Sequence, residues 1–373
     1  MRLAHVTFSY LPVRGGADVY LDQLRGVLAA AGHQQVVVQC APGPNPQPPE
    51  SSTDPDVLQV PIPQRLSPGR RFWLMAAALP LYRSMLAEMD RLIVHYPLYC
   101  LPLSWHPGVV GISHGVTWDC GPMDAKNRLK RAIARRAFHG AMAFVANDTF
   151  FLREMGLPGP GPRPSEPPWR PAPFTQAAPK RWYIPNCVDT GFFGPKPGPE
   201  PPTRDILVPR NLYRNRGIRL AIDAFRQIAG RAAVGRLLIA GGQGDPGYRQ
   251  ELEAYVAKVD LRDRVLFLGS VDRERLLALY HECAVTAVPS LCGEGTSLSA
   301  LESMACGTPV VATSVGGLTD LPCLHCAPQP DALAAAILLA LERREELAAA
   351  QRQAVLAGFH LGLWAAAWRQ AVL

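Results

Sequence analysis

A chain of 373 residues is too long for one ordinary hydrophobic core, so two domains are expected. With 48% hydrophobic and 18% charged residues it is globular in composition rather than disordered, and no run of about 18 apolar residues is present to cross a membrane. The net charge of +7 favours anionic ligands or surfaces, and the nine cysteines, an odd number in apolar or small-residue surroundings, read as reduced thiols of a cytoplasmic protein.

The opening MRLAHVTFSY enters a first buried strand, Leu3 to Ser9, directly, so no signal peptide is expected. A loop with Gly15 and Gly16 follows, then a helix to about Ala31, a stop at Gly32-His33 and a second strand from Gln35 to Gln39. A glycine pair between strand and helix is either a structural turn or a place where a phosphate reaches the backbone, with Arg14 as a neighbour. Residues 42–64 and 157–180 are proline-rich and read as loops or linkers. Asp54-Pro55-Asp56 has the form of a metal-binding DxD but lies in the first of them and is discounted. Residues 65–90 set Arg65, Arg70 and Arg71 beside Phe72, Trp73, Leu74 and Met75 ahead of an apolar helix. Residues 126–136 form a second basic helix with Lys126, Arg128, Lys130, Arg131, Arg135 and Arg136. Solvated helix faces are the first reading and docking on anionic lipid the second; no nucleic-acid motif accompanies the charge. Strands Leu92 to Val94 and Val109 to Ile112 end in His95 and in Ser113-His114-Gly115, which places His114 for a cleft, although a lone histidine is more often structural. Asp119 is nearby. Strand Ala143 to Ala146 ends in Asn147-Asp148.

In the second half, strand Asp205 to Val208 is followed by Arg210 and Arg216 and then by a helix, Ile218 to Ala229. Two cations six apart are either a surface pair or a clamp for a diphosphate, for which the forked guanidinium is suited. Strand Arg236 to Ala240 leads into Gly241-Gly242-Gln243-Gly244 and on to Gly247, formally a dinucleotide fingerprint. NAD is rejected because the next strand, Val265 to Leu268, ends in Gly269-Ser270 with no acidic residue for the ribose. Helix Arg273 to Cys283 and strand Val285 to Val288 lead to Glu294 and Glu302, eight apart. A helix from about Ser297 to Cys306 ends at Gly307 as a left-handed cap, and Pro309 precedes a strand, Val310 to Thr313, and a Gly316-Gly317 turn. Glu294 then lies beyond the carboxyl end of a strand, where open α/β sheets bind ligands. Gly295, Thr296 and Ser297 let the backbone come close to a bound group, and the turn through Leu298 offers N–H groups to a phosphate. Glu302, about two turns into the helix, suits a hydroxyl pair such as a ribose. By spacing alone, an ordinary amphipathic helix fits as well. Cys323-Leu-His-Cys326 has metal-like spacing but no completing pair, so zinc is not expected. Asp331 is expected to cap a helix to about Leu341, with a further helix over 344–357.

The stretch Pro289 to Gly317, PSLCGEGTSLSALESMACGTPVVATSVGG, closely resembles the E-x7-E signature of the family 4 retaining glycosyltransferases (group 1). The resemblance extends to the Gly15-Gly16 loop, His114-Gly115, the segment Ile184-Pro-Asn-Cys-Val-Asp189, Arg210 and the Gly-x-Gly loop at 241–244. Departures are Cys187 for glycine, Arg216 for lysine, Asn147-Asp148 where a serine is usual, a longer insert before 182 and a shorter loop at 318–330. The resemblance implies a GT-B fold: two facing Rossmann-like α/β domains with parallel sheets and an interdomain cleft. Residues 1–188, completed by a C-terminal helix over 357–373 with Trp364 and Trp368, would take the acceptor, and 189–356 the donor.

It further implies a hexosyltransferase of carbohydrate biosynthesis using a nucleotide-diphosphate sugar, UDP- or GDP-linked, with retention and without metal or cofactor. In that role Arg210, Arg216 and the turn from Gly295 to Leu298 would face the diphosphate, approached by Gly15, Gly16, Gly241 and Gly244. Glu294 and His114 would meet the donor sugar and Glu302 the ribose. The acceptor, a glycan, a lipid-linked or a small molecule, is open. So is peripheral contact with an anionic inner membrane face. The alternative is a non-catalytic sugar-nucleotide-binding or scaffold protein of the same fold.

Overall fold

The computed structural model describes residues 1–11, 15–41, 54–158, 167, 169, 175–196, 198, 203–242 and 244–372. Two sheets organise them. The first comprises β1 (Arg2–Val6), β2 (Gln34–Cys40), β3 (Val57–Val60), β4 (Arg91–Val94), β5 (Val109–Ser113), β6 (Ala143–Ala146), β7 (Thr175–Ala178) and β8 (Arg181–Tyr183), in the order β3-β2-β1-β4-β5-β6-β8-β7. The second comprises β9 (Ile206–Val208), β10 (Leu237–Ala240), β11 (Val265–Gly269), β12 (Val285–Val288), β13 (Val310–Thr313) and β14 (Leu324–Cys326), in the order β11-β10-β9-β12-β13-β14. Each sheet grows outward from its first strand in one direction and then reverses, between β1 and β4 and between β9 and β12. A doubly wound sheet leaves a crevice at such a switch point, outside the carboxyl ends of its strands. This is the two-domain Rossmann-like architecture of the GT-B fold.

The central strands are short apolar runs because helices cover both sheet faces; β6, β12 and β13 are buried throughout. The final helix, Leu361–Val372, packs on the first sheet. Trp364 and Trp368 are fully buried there, and the Trp368 indole N–H donates to the Tyr20 hydroxyl at 3.1 Å. The chain crosses between the two sheets twice, side by side: Val188 N–H donates to Phe359 O at 2.9 Å and Leu361 N–H to Val188 O at 3.2 Å.

Several expectations are corrected. The 42–64 stretch contains a strand, β3, and the 157–180 stretch contains β7, which pairs antiparallel with β8 at the sheet edge. The apolar helix in 65–90 is broken into Pro68–Ala78, a 3-10 turn over Leu79–Tyr82 and Arg83–Ala87, because Pro80 has no N–H to continue the ladder. The loop after Gly317 holds a 3-10 turn and strand β14. Asp331 lies inside the helix Pro330–Glu342, whose cap residue is Gln329, and accepts from the Gln227 amide instead. Among the described non-glycine residues only Lys180 and Asp260 have positive φ, so Cys187 replaces the usual glycine in ordinary backbone. The reading of all cysteines as thiols also fails: Cys120 and Cys292 form a disulfide, and the other seven are buried thiols. The two partners, 172 residues apart, lie one on each domain.

Candidate active site

Between the sheets lies a cavity of about 930 Å³. Its lining brings together Gly15, Gly16, His114, Arg210, Arg216, Gly241, Glu294, Gly295, Thr296, Ser297, Leu298 and Glu302, residues spread over most of the chain. Gly244 is not in this lining. It sits against Leu212, where a Cβ would fall 2.1 Å from the Leu212 carbonyl oxygen. Gly241 plays a similar part beside Arg210 O. These glycines admit one loop against another, a backbone reason for the Gly-rich pattern that needs no cofactor. Arg14 lies outside the described residues.

Arg210 follows β9 and Glu294 follows β12, so both stand at the switch point of the second sheet. The Glu294 carboxylate is buried and pairs with both Arg210 and Arg216. Arg210 is further held by the Ser290 hydroxyl at 3.0 Å and the Ser297 hydroxyl at 3.3 Å, and Arg216 donates to Gly293 O at 3.4 Å. Burial lowers Arg210 to about 10; burial and the neighbouring Arg210 charge lower Arg216 to about 9. Both remain cations at neutral pH. Two cations on one carboxylate leave this cluster with a surplus positive charge. The helix Leu298–Ala305 starts beside it and points its N–H end the same way.

Glu302, on that helix, accepts from the Tyr280 hydroxyl at 2.9 Å. Burial raises its carboxyl to about 7, with the Tyr280 bond acting against the shift. The neighbouring wall carries Phe193 and Arg273, whose guanidinium lies 4.0 Å from the Phe192 ring centroid.

The first domain contributes a glycine-lined edge. Gly16 faces Leu298, 3.6 Å from its Cδ1 if given a Cβ. Gly15 caps the helix Gly16–Ala30 and donates its N–H to Asp18 at 3.0 Å, so that N–H is already committed. His114 lies at the end of β5, and Gly115 follows at φ +125, where a Cβ would meet Gly295 N at 2.8 Å. Only glycine allows this contact between the His114 loop and the Glu294 loop.

Three seam contacts were not legible from spacing. The Asn147 side chain is buried at the cavity wall and bonded across the seam. Its Oδ1 accepts from Thr296 N–H at 3.0 Å and from the Thr296 hydroxyl at 2.7 Å, and its Nδ2 donates to Asn186 at 2.7 Å. The Thr296 N–H is therefore spent across the seam. Gly293 N–H donates to both Asp119 oxygens at 3.1 Å, next to the Cys120–Cys292 disulfide. Asp320 accepts the Thr149 N–H at 2.7 Å.

The expected basic surface is divided. Arg71 is buried, lines the cavity and donates to Cys40 Sγ and Ala41 O, and Phe72 packs inward on Phe8, Tyr96 and Tyr99. Trp73, Leu74 and Leu81 are exposed, as are Arg65 and Arg70. Among the described residues one group of metal-ligating side chains converges, Asp119, Cys120 and Cys292, but its two sulfurs are bonded to each other. Asp54 pairs with Arg25 at 2.8 Å. No described helix is long and apolar enough to cross a membrane.

Residues 193–355 match the model of "Glycosyl transferases group 1", and residues 15–164 that of a "Glycosyl transferase 4-like domain". A D-inositol 3-phosphate glycosyltransferase of Xylanimonas cellulosilytica is 49% identical over 84 residues, 22% of this chain and 20% of that protein. An uncharacterized glycosyltransferase of Methanocaldococcus jannaschii is 40% identical over 116 residues, 31% of this chain and 28% of that protein. The matched stretches thus span less than a third of these curated relatives' own length. Over the whole chain, the fold is similar to a sucrose-phosphate synthase of Thermosynechococcus elongatus, with TM-score 0.78, 23% identity and coverage of 99% of this chain and 97% of that one. It is also similar to Anabaena HepE in complex with UDP and glucose, with TM-score 0.73, 17% identity and coverage of 100% and 99%.

Proposed function

Since the chain belongs to the glycosyltransferases built from a 4-like and a group 1 domain, we propose that it moves a hexosyl group, with retention, from a nucleotide-diphosphate sugar to a glycan, lipid-linked or small-molecule acceptor. The observation that carries this is the surplus positive charge of Arg210 and Arg216 beside the start of the helix Leu298–Ala305, in a cleft large enough for a sugar nucleotide. Charge develops on the leaving diphosphate in the transition state, and fixed cations and N–H dipoles in a water-poor cleft stabilise it there. In this reading the diphosphate takes the two guanidinium groups over from Glu294, which frees that carboxylate for hydroxyls of the donor sugar. Glu302 holds the ribose. The departing phosphate oxygen helps to accept the acceptor's proton, and no metal or other cofactor takes part. A UDP-linked donor is favoured over a GDP-linked one, since HepE is described with UDP and glucose and with UDP-glucose. Residues 189–356 then form the donor side, and residues 1–188 with the final helix the acceptor side.

Thermal shift with UDP, GDP, ADP and their sugar conjugates tests the donor site, with Glu302→Ala alongside. One nucleotide family should stabilise the wild type and act more weakly on the variant. No stabilisation by any of them at saturation would refute the site. Chelator in the assay should leave transfer unchanged. For a lipid-linked acceptor, the exposed Trp73, Leu74 and Leu81 beside Arg65 and Arg70 would touch the inner membrane face. Absence of binding to anionic vesicles at low salt would exclude that arm.

A further inference from the structure

Three histidines and a glutamine form one hydrogen-bonded row through the interior of the first sheet. Gln35 is on β2, His5 on β1, His95 just beyond β4 and His114 just beyond β5, and these four strands are successive neighbours. The register explains the row. His5 is level with Val37 and Ile93, and Ile93 is level with Val110, so each member stands two residues further along its strand than the position facing the one before. Residues two apart share a sheet face, and such diagonal neighbours are within reach of long side chains. His5 Nε2 lies 2.9 Å from Gln35 Oε1, His5 Nδ1 3.4 Å from His95 Nε2, and His95 Nδ1 3.3 Å from His114 Nε2. His5 and His95 are 0% and 1% exposed, and His114 opens on the cavity.

The direction of every proton in the row follows from one end. Gln35 Nε2 donates to the Arg25 carbonyl at 2.8 Å, and a carbonyl can only accept. The Gln35 oxygen therefore faces His5 and must accept, so His5 carries its proton on Nε2. Burial pushes His5 and His114 down to about 4 and His95 well below its usual range, so all three rings are neutral and each has one proton. The bare His5 Nδ1 then accepts from His95 Nε2–H, and the bare His95 Nδ1 accepts from His114 Nε2–H. His114 is left with a bare Nδ1.

We propose that Gln35, His5 and His95 are positioning residues that hold His114 in this single tautomer, so that it meets a hydroxyl of the donor sugar as a hydrogen-bond acceptor. The role of the hydroxyl rests on the donor-site reading above; the tautomer itself does not. His114 Nε2 is committed to the row, so Nδ1 is the nitrogen left for a ligand. A site that can only accept favours a sugar with a hydroxyl at that position over its deoxy analogue, which would leave the lone pair buried without a donor.

The test is nitrogen NMR on the whole protein labelled at histidine nitrogens, with His114 assigned by its loss in His114→Gln. The wild type should show a protonated Nε2 and a bare Nδ1 at His114 near neutral pH. A protonated Nδ1 or a mixture of tautomers would overturn the proposal, and this measurement needs no variant of the row and no substrate. His95→Gln supplies one acceptor and one donor, as a neutral imidazole does, and should keep the tautomer. His95→Leu should release it and lower kcat/KM for the sugar nucleotide about tenfold, typical when an outer partner of an imidazole is removed. UDP affinity should be unchanged in both variants. Equal behaviour of Gln and Leu, in tautomer and in kcat/KM, would leave the row a packing feature and refute the proposal. Failure of wild type to bind UDP would count against the donor site instead.

Discussion

Glu302 offers a direct test of the donor site through pH. Its carboxyl is raised to about 7 in the free protein, chiefly by burial, while Tyr280 already donates to Oε2. A ribose hydroxyl pair would donate to the carboxylate, favour its charged form and draw its pKa down on binding. The ligand then prefers the ionised protein. At pH 6 only about a tenth of a group with a pKa of about 7 is ionised, so affinity should be about tenfold weaker than above pH 8, roughly 1.4 kcal/mol. Binding should release a fraction of a proton near pH 7 and almost none above pH 8. The ligand should be UDP-glucose, whose diphosphate is esterified at both ends and does not itself titrate here. Titration calorimetry at pH 6, 7 and 8, in two buffers of different ionisation enthalpy, measures both quantities. Glu302→Gln should remove the pH dependence. Equal affinity at pH 6 and 8 without proton release would refute the placement of the ribose on Glu302. The free protein carries the opposite signature: a carboxyl raised from its unfolded value of 4.5 withdraws stability as pH climbs from there to about 7.

Asp148 is fully buried at the seam, and its carboxyl is raised to about 8 by burial and by the charge of Asp320. Stability should therefore fall as pH rises toward 8. Asp148→Asn keeps an oxygen for the Phe151 N–H, bonded at 2.6 Å, and removes the charge, so it should melt at or above the wild type at pH 9; a clearly lower melting temperature contradicts the assigned cause. Non-reducing peptide mapping should recover Cys120 linked to Cys292. Reduction should lower stability by about 2–4 kcal/mol, because the bond closes a long loop. Arg216→Lys should change donor KM less than Arg210→Lys, since Arg210 spans Ser290, Ser297 and Glu294 with one fork whereas Arg216, among the described residues, reaches Glu294 and Gly293. Steady-state kinetics on the two variants decides this, and the reverse ranking would contradict the assigned geometry.

The difference between what could be read in the chain and what could not follows the range of each interaction. Strands β12 and β13 and the helix between them are encoded locally, by β-branched runs, a left-handed Gly307 and Pro309, and they carry Glu294 and Glu302 to the cleft. β7 and β14 are edge pieces, three or four residues long, too short for a period to show, and each is held as a strand by pairing with one neighbour. The seam is less legible still. Asn147 meets Thr296 across 149 residues and Asp119 meets Gly293 across 174, and no spacing within either half points to the other. The histidine row lies between these cases. Each His stands at or near the carboxyl end of a buried strand in the first sheet, a repeated position that can be noticed residue by residue. What joins them is the strand order β2-β1-β4-β5, which sets strands far apart in the chain side by side. A lone His114 therefore reads as either structural or functional, because its state is determined by Gln35 at the other end of the row.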